Sequence, residues 1–264
     1  MRGCGYWYSP MNDDLKFATG LARQAGKIMR QNFSLGMKKE WKEDSTPITV
    51  TDTEINALVL NAIQKKYPMH SFVGEEGSRL IESEYTWVCD PVDGTMPFSH
   101  GWPTFVFSLA LTKNGESMLG VIYDPMMDRL LHAEKGKGAF LNGKKISVAK
   151  DPSLSRTSFI SISSDIRLSS LRETLRAEGC HVPTLYSCVY TSMLVATGEF
   201  LAEIYAYNKP WDAASVKIIV EEAGGKVTDL KGEEQRYDKE INGFIASNGL
   251  VHQKLVDLIW PLLK

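Results

Sequence analysis

The sequence predicts a mixed α/β fold, because helical and strand patterns alternate along its 264 residues. Residues 13–33 place apolar side chains three and four positions apart, which is the spacing of an amphipathic helix. Short apolar runs at 71–73 and 86–89 are each followed by a turn that contains acids and glycine. Both runs are therefore expected to be strands that deliver acids to the edge of a sheet.

The next elements of the first half are a helix and a series of short strands. The helix is expected to begin at Thr51, since Thr51 and Glu54 have the spacing of a capping box. Asn142-Gly143 predicts a tight hairpin turn between the last two strands. The strands are expected at 105–111, 119–123, 129–133, 139–141 and 146–148.

The second half continues the mixture. Strands are expected at 158–162, 201–205 and 243–246, and helices at 169–177, 190–197 and 211–223, before a closing helix. The pattern shifts slightly near residue 150, so we expect an N-terminal extension at 1–12 and two lobes, 13–150 and 151–264, fused in one domain.

Composition excludes several functional classes. Thirty basic residues against 32 acidic ones leave a net charge of −2, so no nucleic-acid partner is expected. No apolar run has the roughly 18 residues of a membrane span, and the first ten residues are too short and polar for a secretory signal. The four cysteines are widely spaced and the five histidines are scattered, so we expect reduced thiols, no zinc site and a cytoplasmic protein.

The segment from Asp90 to Thr95, D-P-V-D-G-T, is the first candidate for chemistry. Its two aspartates lie three residues apart across a turn, so they can converge on neighbouring cations. The backbone N–H groups of Gly94 and Thr95 form a natural seat for a phosphate. The structural alternative is a turn that only ends a strand.

Two further carboxylates belong to separate segments. Glu75 lies between glycines after a predicted strand, and Asp212 lies at the start of a predicted helix. The alternatives are an exposed acidic turn for Glu75 and helix capping for Asp212. Carboxylates about 4 Å apart repel by roughly 4 kcal/mol at an effective dielectric near 20, a cost that a bound hard cation removes. The sequence therefore predicts a magnesium-dependent phosphatase centre.

Four sequence blocks together resemble the inositol monophosphatase family of metal-dependent, lithium-sensitive phosphatases. They are the K-x-D-x-S-P-x-T-like block 42–52, the G-E-E block around Glu75, the D-P-V-D-G-T block 90–98 and the W-D-x-A…E-A-G-G block 211–225. The resemblance implies a layered α/β sandwich, αβαβα, of the inositol monophosphatase/fructose-bisphosphatase type. The metal site would lie in the N-terminal lobe and be completed by the C-terminal lobe. A homodimer is also implied.

The resemblance assigns two magnesium ions to oxygen ligands. Glu75, Asp90 and the Val92 carbonyl would hold one, and Asp90, Asp93 and Asp212 would hold the second. A third ion near Glu75 is also implied. Water activated at this centre would attack phosphorus in line with the leaving alkoxide.

The resemblance also assigns roles outside the metal ligands. Glu75 and Thr95 would orient the attacking water, and Asp52 would hold the Thr95 hydroxyl; the alternative for Asp52 is a charge at a helix N-terminus. The phosphate and the substrate would contact Asp93, Gly94, Thr95, Ser187, Cys188, Tyr205 and Asp212.

Departures from the family pattern concern the substrate. Tyr205 stands where the family has its inositol-contacting glutamate, and Leu201 replaces an aspartate. Tyr205 could instead be an aromatic core residue. The segment 186–190 is similar to the histidinol-phosphate phosphatase branch. The expected substrate is a small polyol or amino-alcohol phosphate. The alternatives are histidinol phosphate, fructose 1,6-bisphosphate, a 3′-phosphonucleotide, or a non-enzymatic role as a partner in RNA-related complexes.

Overall fold

The computed structural model describes residues 12–42 and 47–263. The predicted N-terminal extension, 1–12, lies outside the described residues except for Asn12. That side chain accepts a hydrogen bond from the Leu15 amide (2.7 Å) and caps the first helix. Within the described residues, no helix combines the length and the apolar character that crossing a bilayer requires.

Helices occupy seven segments of the described chain. They are α1 Asp13–Asn32, α2 Val50–Lys66, α3 Thr95–Ser99, α4 Ser169–Ala177, α5 Cys188–Ala196, α6 Ala214–Glu222 and α7 His252–Ile259. Three 3₁₀ turns cover Ile166–Leu168, Pro210–Asp212 and Trp260–Leu263.

Strands form one large sheet, one smaller sheet and a two-stranded ribbon. The ribbon pairs β1 Glu40–Trp41 with β2 Pro47–Ile48. The large sheet has the order β3 Ser71–Gly74, β4 Tyr85–Asp93, β5 Val106–Lys113, β6 Glu116–Asp124, β7 Arg129–Glu134, β8 Gly138–Leu141 and β9 Lys144–Lys145. The smaller sheet has the order β10 Ile160–Ile162, β11 Ala202–Tyr205, β13 Phe244–Ser247 and β12 Lys226–Thr228.

Three hydrophobic cores lie between five layers. The first joins α1 and α2 to the large sheet, and the second joins the other face of that sheet to α5, α6 and the smaller sheet. The third joins the smaller sheet to α4 and α7. Helices, sheet, helices, sheet and helices therefore follow one another, and the predicted αβαβα sandwich is confirmed.

Three local predictions were wrong. The capping box of α2 is formed by Thr49 and Asp52, not by Thr51 and Glu54, and the helix begins at Val50. The hairpin turn at Asn142-Gly143 is confirmed by positive φ angles of 48° and 79°, but its second strand is β9 and not 146–148. The helix predicted at 211–223 is a 3₁₀ turn followed by α6.

Candidate active site

The end of β4 supplies two of the predicted metal ligands. The pairing of β4 with β5 shifts register between Asp90 and Asp93, so the chain bulges there. The Val92 amide donates a hydrogen bond to Asp90 Oδ1 (2.9 Å). This bond fixes the orientation of the Asp90 carboxylate at the bulge. Both aspartates are buried and both line the same cleft, whose volume is about 730 Å³.

Glu75 enters the cleft from the neighbouring strand. Because β3 runs parallel to β4, its carboxyl end lies at the same sheet edge as Asp90. The Lys42 ammonium lies 2.8 Å from Glu75 Oε1 and also contacts Glu76. The Lys42 ammonium therefore forms an ion pair with Glu75, which is one of the predicted metal ligands.

Asp212 reaches the cleft from the second half of the chain. It is buried in the 3₁₀ turn Pro210–Asp212, which packs against β4. Ligand atoms of Asp93, Cys188 and Asp212 lie within 4.8 Å of one another. The structure thus brings together Glu75, Asp90, Asp93 and Asp212, four carboxylates from three separated segments.

The start of α5 holds the Asp93 side chain. Its Oδ2 accepts hydrogen bonds from the backbone amides of Val189 (3.1 Å) and Tyr190 (3.2 Å) and from the Ser187 hydroxyl. The Cys188 thiol lies 3.5 Å from Oδ1. The helix begins two residues earlier than predicted, and this places Ser187 and Cys188 against a carboxylate instead of on a preceding loop.

Thr95 forms a hydrogen-bonded pair with Asp52. The Thr95 hydroxyl lies 2.9 Å from Asp52 Oδ1 and 3.0 Å from the Val92 carbonyl, and its proton can be donated to either. The other carboxylate oxygen of Asp52 accepts from the Thr49 amide at 2.9 Å. Asp52 therefore does both things that the sequence left open: it caps α2 and it fixes the Thr95 hydroxyl.

Gly94 has a backbone that few other residues adopt. Its φ of 90° is left-handed, and it immediately precedes α3. A methyl group added at Gly94 would lie 2.8 Å from the Ser187 side chain and 2.8 Å from the Thr104 carbonyl oxygen. The turn between Asp93 and Thr95 therefore requires glycine both for conformation and for space.

Burial and mutual repulsion raise the pKa values of the converging acids. Burial raises the pKa of Glu75 to about 7, against the opposing effect of Lys42, and raises that of Asp93 to about 6, against the hydrogen bonds from α5. The pKa of Asp90 is raised well above its usual value by burial and then by Glu75, Asp93 and Asp212. Burial and the Asp93 charge do the same to Asp212.

These donors fit a hard divalent cation. The four carboxylates and the Val92 carbonyl are oxygen donors, as magnesium prefers, and Cys188 offers only a thiol whose pKa burial raises. A cation would offset the repulsion that raises the acids' pKa values. The donor set therefore suits magnesium better than zinc.

The metal-free protein is expected to lose stability as pH rises from about 4 to about 7. Folding raises the pKa values of Glu75 and Asp93 above their unfolded values near 4, so the folded state binds more protons in this window. Urea unfolding in excess chelator, followed from about pH 4.5 to pH 7.5, measures the trend. Glu75→Gln should flatten its upper part. A free energy of unfolding that increases with pH throughout the window would contradict this prediction.

The substrate side of the cleft contains the predicted Tyr205 and a residue that the sequence analysis missed. Tyr205 lines the cleft, and its pKa is raised by burial and by the Asp212 charge, which its hydroxyl contacts. Its ring also packs on Tyr207 and Phe244, as the alternative of an aromatic packing residue predicted. Glu203 is buried in the same wall. A lone acid within the apolar segment 201–205 was the signal that would have identified it.

Comparisons with known proteins identify a family and several relatives that the chain resembles. Residues 11–264 match the sequence profile of the inositol monophosphatase family. A fructose-1,6-bisphosphatase/inositol-1-monophosphatase of Thermotoga maritima is 33% identical over 253 residues, which cover 94% of this chain and 96% of that protein. A histidinol-phosphatase of Chlorobaculum parvum is 32% identical over 255 residues, with 94% and 97% covered.

A solved structure shares the whole fold. The inositol monophosphatase structure from Thermotoga maritima superposes with a TM-score of 0.87 at 32% sequence identity and covers 96% of this chain and 98% of that one.

Proposed function

The chain belongs to the inositol monophosphatase family and is a phosphatase, and we propose that it is a magnesium-dependent phosphomonoesterase for a small polyol or amino-alcohol phosphate. The observation that carries the proposal is the meeting of Asp90, Asp93 and Asp212 beside the Thr95–Asp52 pair in one cleft. The homodimer, the cytoplasmic location and the two-lobe division at residue 150 stay predictions.

Two magnesium ions would occupy the carboxylate cluster. Glu75, Asp90 and the Val92 carbonyl would hold one, and Asp90, Asp93 and Asp212 the other, and a third ion would bind near Glu75. Bound magnesium lowers the pKa of water and neutralises charge on the phosphate. Lys42 would have to leave Glu75 when an ion binds there, because the ammonium and the ion compete for the same oxygen.

Thr95 and Asp52 would position the attacking water and receive its proton. The Thr95 hydroxyl is fixed by Asp52 and keeps a lone pair that can accept a hydrogen bond from water. As the water oxygen forms its bond to phosphorus, its proton passes to Thr95 while Thr95 passes its own to Asp52. The P–O bond to the alcohol breaks opposite the incoming oxygen, and the alkoxide takes a proton from solvent.

Gly94 would let the phosphate approach the backbone. Gly94 itself has no side chain to cover the peptide that leads into α3, so the amides of Gly94 and Thr95 would face the anion. Asp93, Ser187 and Cys188 form the neighbouring wall, in which Asp93 is held at a fixed angle by α5. The alcohol part of the substrate would then extend toward Tyr205.

Phosphate release across a panel of monoesters tests this proposal. The panel includes inositol 1-phosphate, glycerol 2-phosphate, histidinol phosphate, fructose 1,6-bisphosphate and a 3′-phosphonucleotide, each with magnesium and then with added lithium. Hydrolysis of at least one small alcohol phosphate, inhibited by lithium, is expected. Release from none of them, nor from p-nitrophenyl phosphate, would contradict the proposed function.

A further inference from the structure

Side chains on β10 and β11 of the smaller sheet alternate between the outer hydrophobic core and the cleft. The residues that face the outer core with α4 and α7 are apolar: Ile160, Ile162, Ala202 and Ile204. Since strand side chains alternate, the residues between them point the other way, toward the cleft. These are Ser161 on β10 and Glu203 and Tyr205 on β11, and all three line the cleft. Glu203 is the acid among them.

The Glu203 carboxyl group lacks a complete set of partners. Its side chain is buried, with 2% of the residue exposed, and its Oε2 has no hydrogen-bond partner among the described residues. Ser161 lies directly across the strand pair, and its hydroxyl lowers the pKa of the carboxyl group against the effect of burial. On the other side, Ala246 of β13 offers only a methyl group. A buried acceptor without a partner costs free energy. A ligand in the cleft that donates a hydrogen bond to Oε2 would remove that cost.

Four aromatic side chains line the same cleft as Glu203, among polar residues such as Thr184 and Asn208. The four are Tyr186, Tyr205, Tyr207 and Trp211. Tyr186 and Tyr207 are 50% and 44% exposed, so their rings stand at the mouth. Aromatic faces beside a carboxyl group attract a cation, whereas a neutral hydroxyl gains little from them.

The nearby cations of the protein already have other contacts. The Arg172 guanidinium, whose charge favours the ionised form of Glu203, donates to the carbonyls of Ile162 (2.9 Å) and Ser163 (3.1 Å). The Lys209 ammonium lies over the Trp211 ring, 5.6 Å from its centre. Burial and then the Asp93 charge raise the pKa of Glu203, and a cation brought by a ligand would offset both effects.

We propose that Glu203 is a specificity-determining residue that accepts a hydrogen bond from a protonated nitrogen on the alcohol part of the substrate. The proposal rests on the proposed function, because the same substrate must place its phosphate at Asp90, Asp93 and Gly94. It narrows the substrate class to phosphate monoesters of alcohols that carry an amine or an imidazole.

The position of Glu203 also sets the length of such a substrate. Glu203 lies two residues before Tyr205 on the same face of β11, about 6.6 Å further along the strand. The Asp93 charge acts on Glu203, but among the described residues the hydrogen-bond partners of the Asp93 side chain all belong to the start of α5, so the nitrogen at Glu203 and the phosphate at Asp93 bind at separate positions. Several bonds must therefore separate the nitrogen from the phosphate.

Matched pairs of substrates test the proposal. The two esters of a pair have the same chain length and differ only in the end group, which is an amine or a hydroxyl. The pairs are 2-aminoethyl and 2-hydroxyethyl phosphate, and 4-aminobutyl and 4-hydroxybutyl phosphate. Histidinol phosphate is added as a substrate that carries an imidazole. The protein should prefer the longer amino member by about 10- to 100-fold in kcat/KM, as expected for a hydrogen bond to a charged group. Glu203→Gln should remove that preference through KM and leave the hydroxyl member within about threefold.

Glu134→Gln is the matched control. Glu134 is also a buried carboxyl, but it lies on β7 and lines no part of the cleft, so the amino preference should survive. Thermal melting checks that both variants fold. If Glu203→Gln does not fold, inhibition of the unaltered enzyme tests the preference for an amine instead. In that experiment 4-aminobutanol should inhibit phosphate release more strongly than 1,4-butanediol.

Three results would overturn the inference: equal rates for 4-aminobutyl and 4-hydroxybutyl phosphate, a preference for 4-hydroxybutyl phosphate, or an equal loss on both of these esters in Glu203→Gln. Each leaves phosphate release intact, so it is distinguishable from failure of the proposed function, in which no ester is hydrolysed.

Discussion

Replacing Thr95 with alanine is expected to lower kcat by about 10²- to 10⁴-fold, the range of a lost proton-transfer group. The Thr95 hydroxyl is held by Asp52 at 2.9 Å and by the Val92 carbonyl at 3.0 Å, so the variant removes the oxygen that, in the proposed mechanism, would join the attacking water to the buried acid. KM should change little, because the carboxylates that would hold the phosphate through magnesium remain. Steady-state phosphate release at saturating magnesium measures both constants.

Thr95→Ser is the matched control for that result. It keeps the hydroxyl and removes only a methyl group, so it should retain most of the activity. Asp52→Asn should lower kcat as well, since the amide can no longer accept the Thr95 proton. If Thr95→Ala kept nearly full kcat, the water would have to be oriented by another residue, and the assigned role of Thr95 would be wrong.

Magnesium is expected to stabilise the folded protein, and Asp93→Asn is expected to blunt this effect. An ion that binds only the folded state at 100 times its dissociation constant adds about 2.7 kcal/mol to the free energy of unfolding. Asp93 is one of the four converging acids, and α5 holds it in place through two backbone amides. Thermal melts over a magnesium titration, with and without the substitution, measure the difference.

Asp229→Asn provides a control for general destabilisation. Asp229 is a buried aspartate outside the cleft that accepts hydrogen bonds from the amides of Lys231 and Glu233, each at 2.8 Å. This variant should melt at a lower temperature yet respond to magnesium as the unaltered protein does. An identical magnesium response in Asp93→Asn would exclude Asp93 as a ligand.

The layers and the acidic cleft could be predicted because their signals are local. Helical spacing at 13–33 gave α1, and the acids after two short apolar runs were placed at the correct sheet edge. Asp212 and Asp93 lie close together in the structure although about 120 residues separate them in the sequence, so no local signal predicts their contact. It was predictable only through the resemblance of both segments to one family.

Contacts that depend on three-dimensional packing were missed. Lys42 belongs to a recognised block, yet nothing in its spacing shows that its ammonium rests on Glu75. Glu203 is read from the sequence as one acid in a strand, and only the pairing of β11 with β10 and β13 shows that an oxygen lacks a partner. The α2 cap was misplaced by two residues because Thr49 and Thr51 both fit the pattern, and Asp52, which also binds Thr95, decides between them.

Phosphate release with and without metal tests the central claim most directly. The purified protein, freed of metal by excess chelator, is assayed on the best ester of the panel and then titrated with magnesium. If Glu75, Asp90, Asp93 and Asp212 form a magnesium centre, hydrolysis should be absent in chelator and should return with magnesium. Full turnover in excess chelator would contradict a metal-dependent mechanism in this cleft.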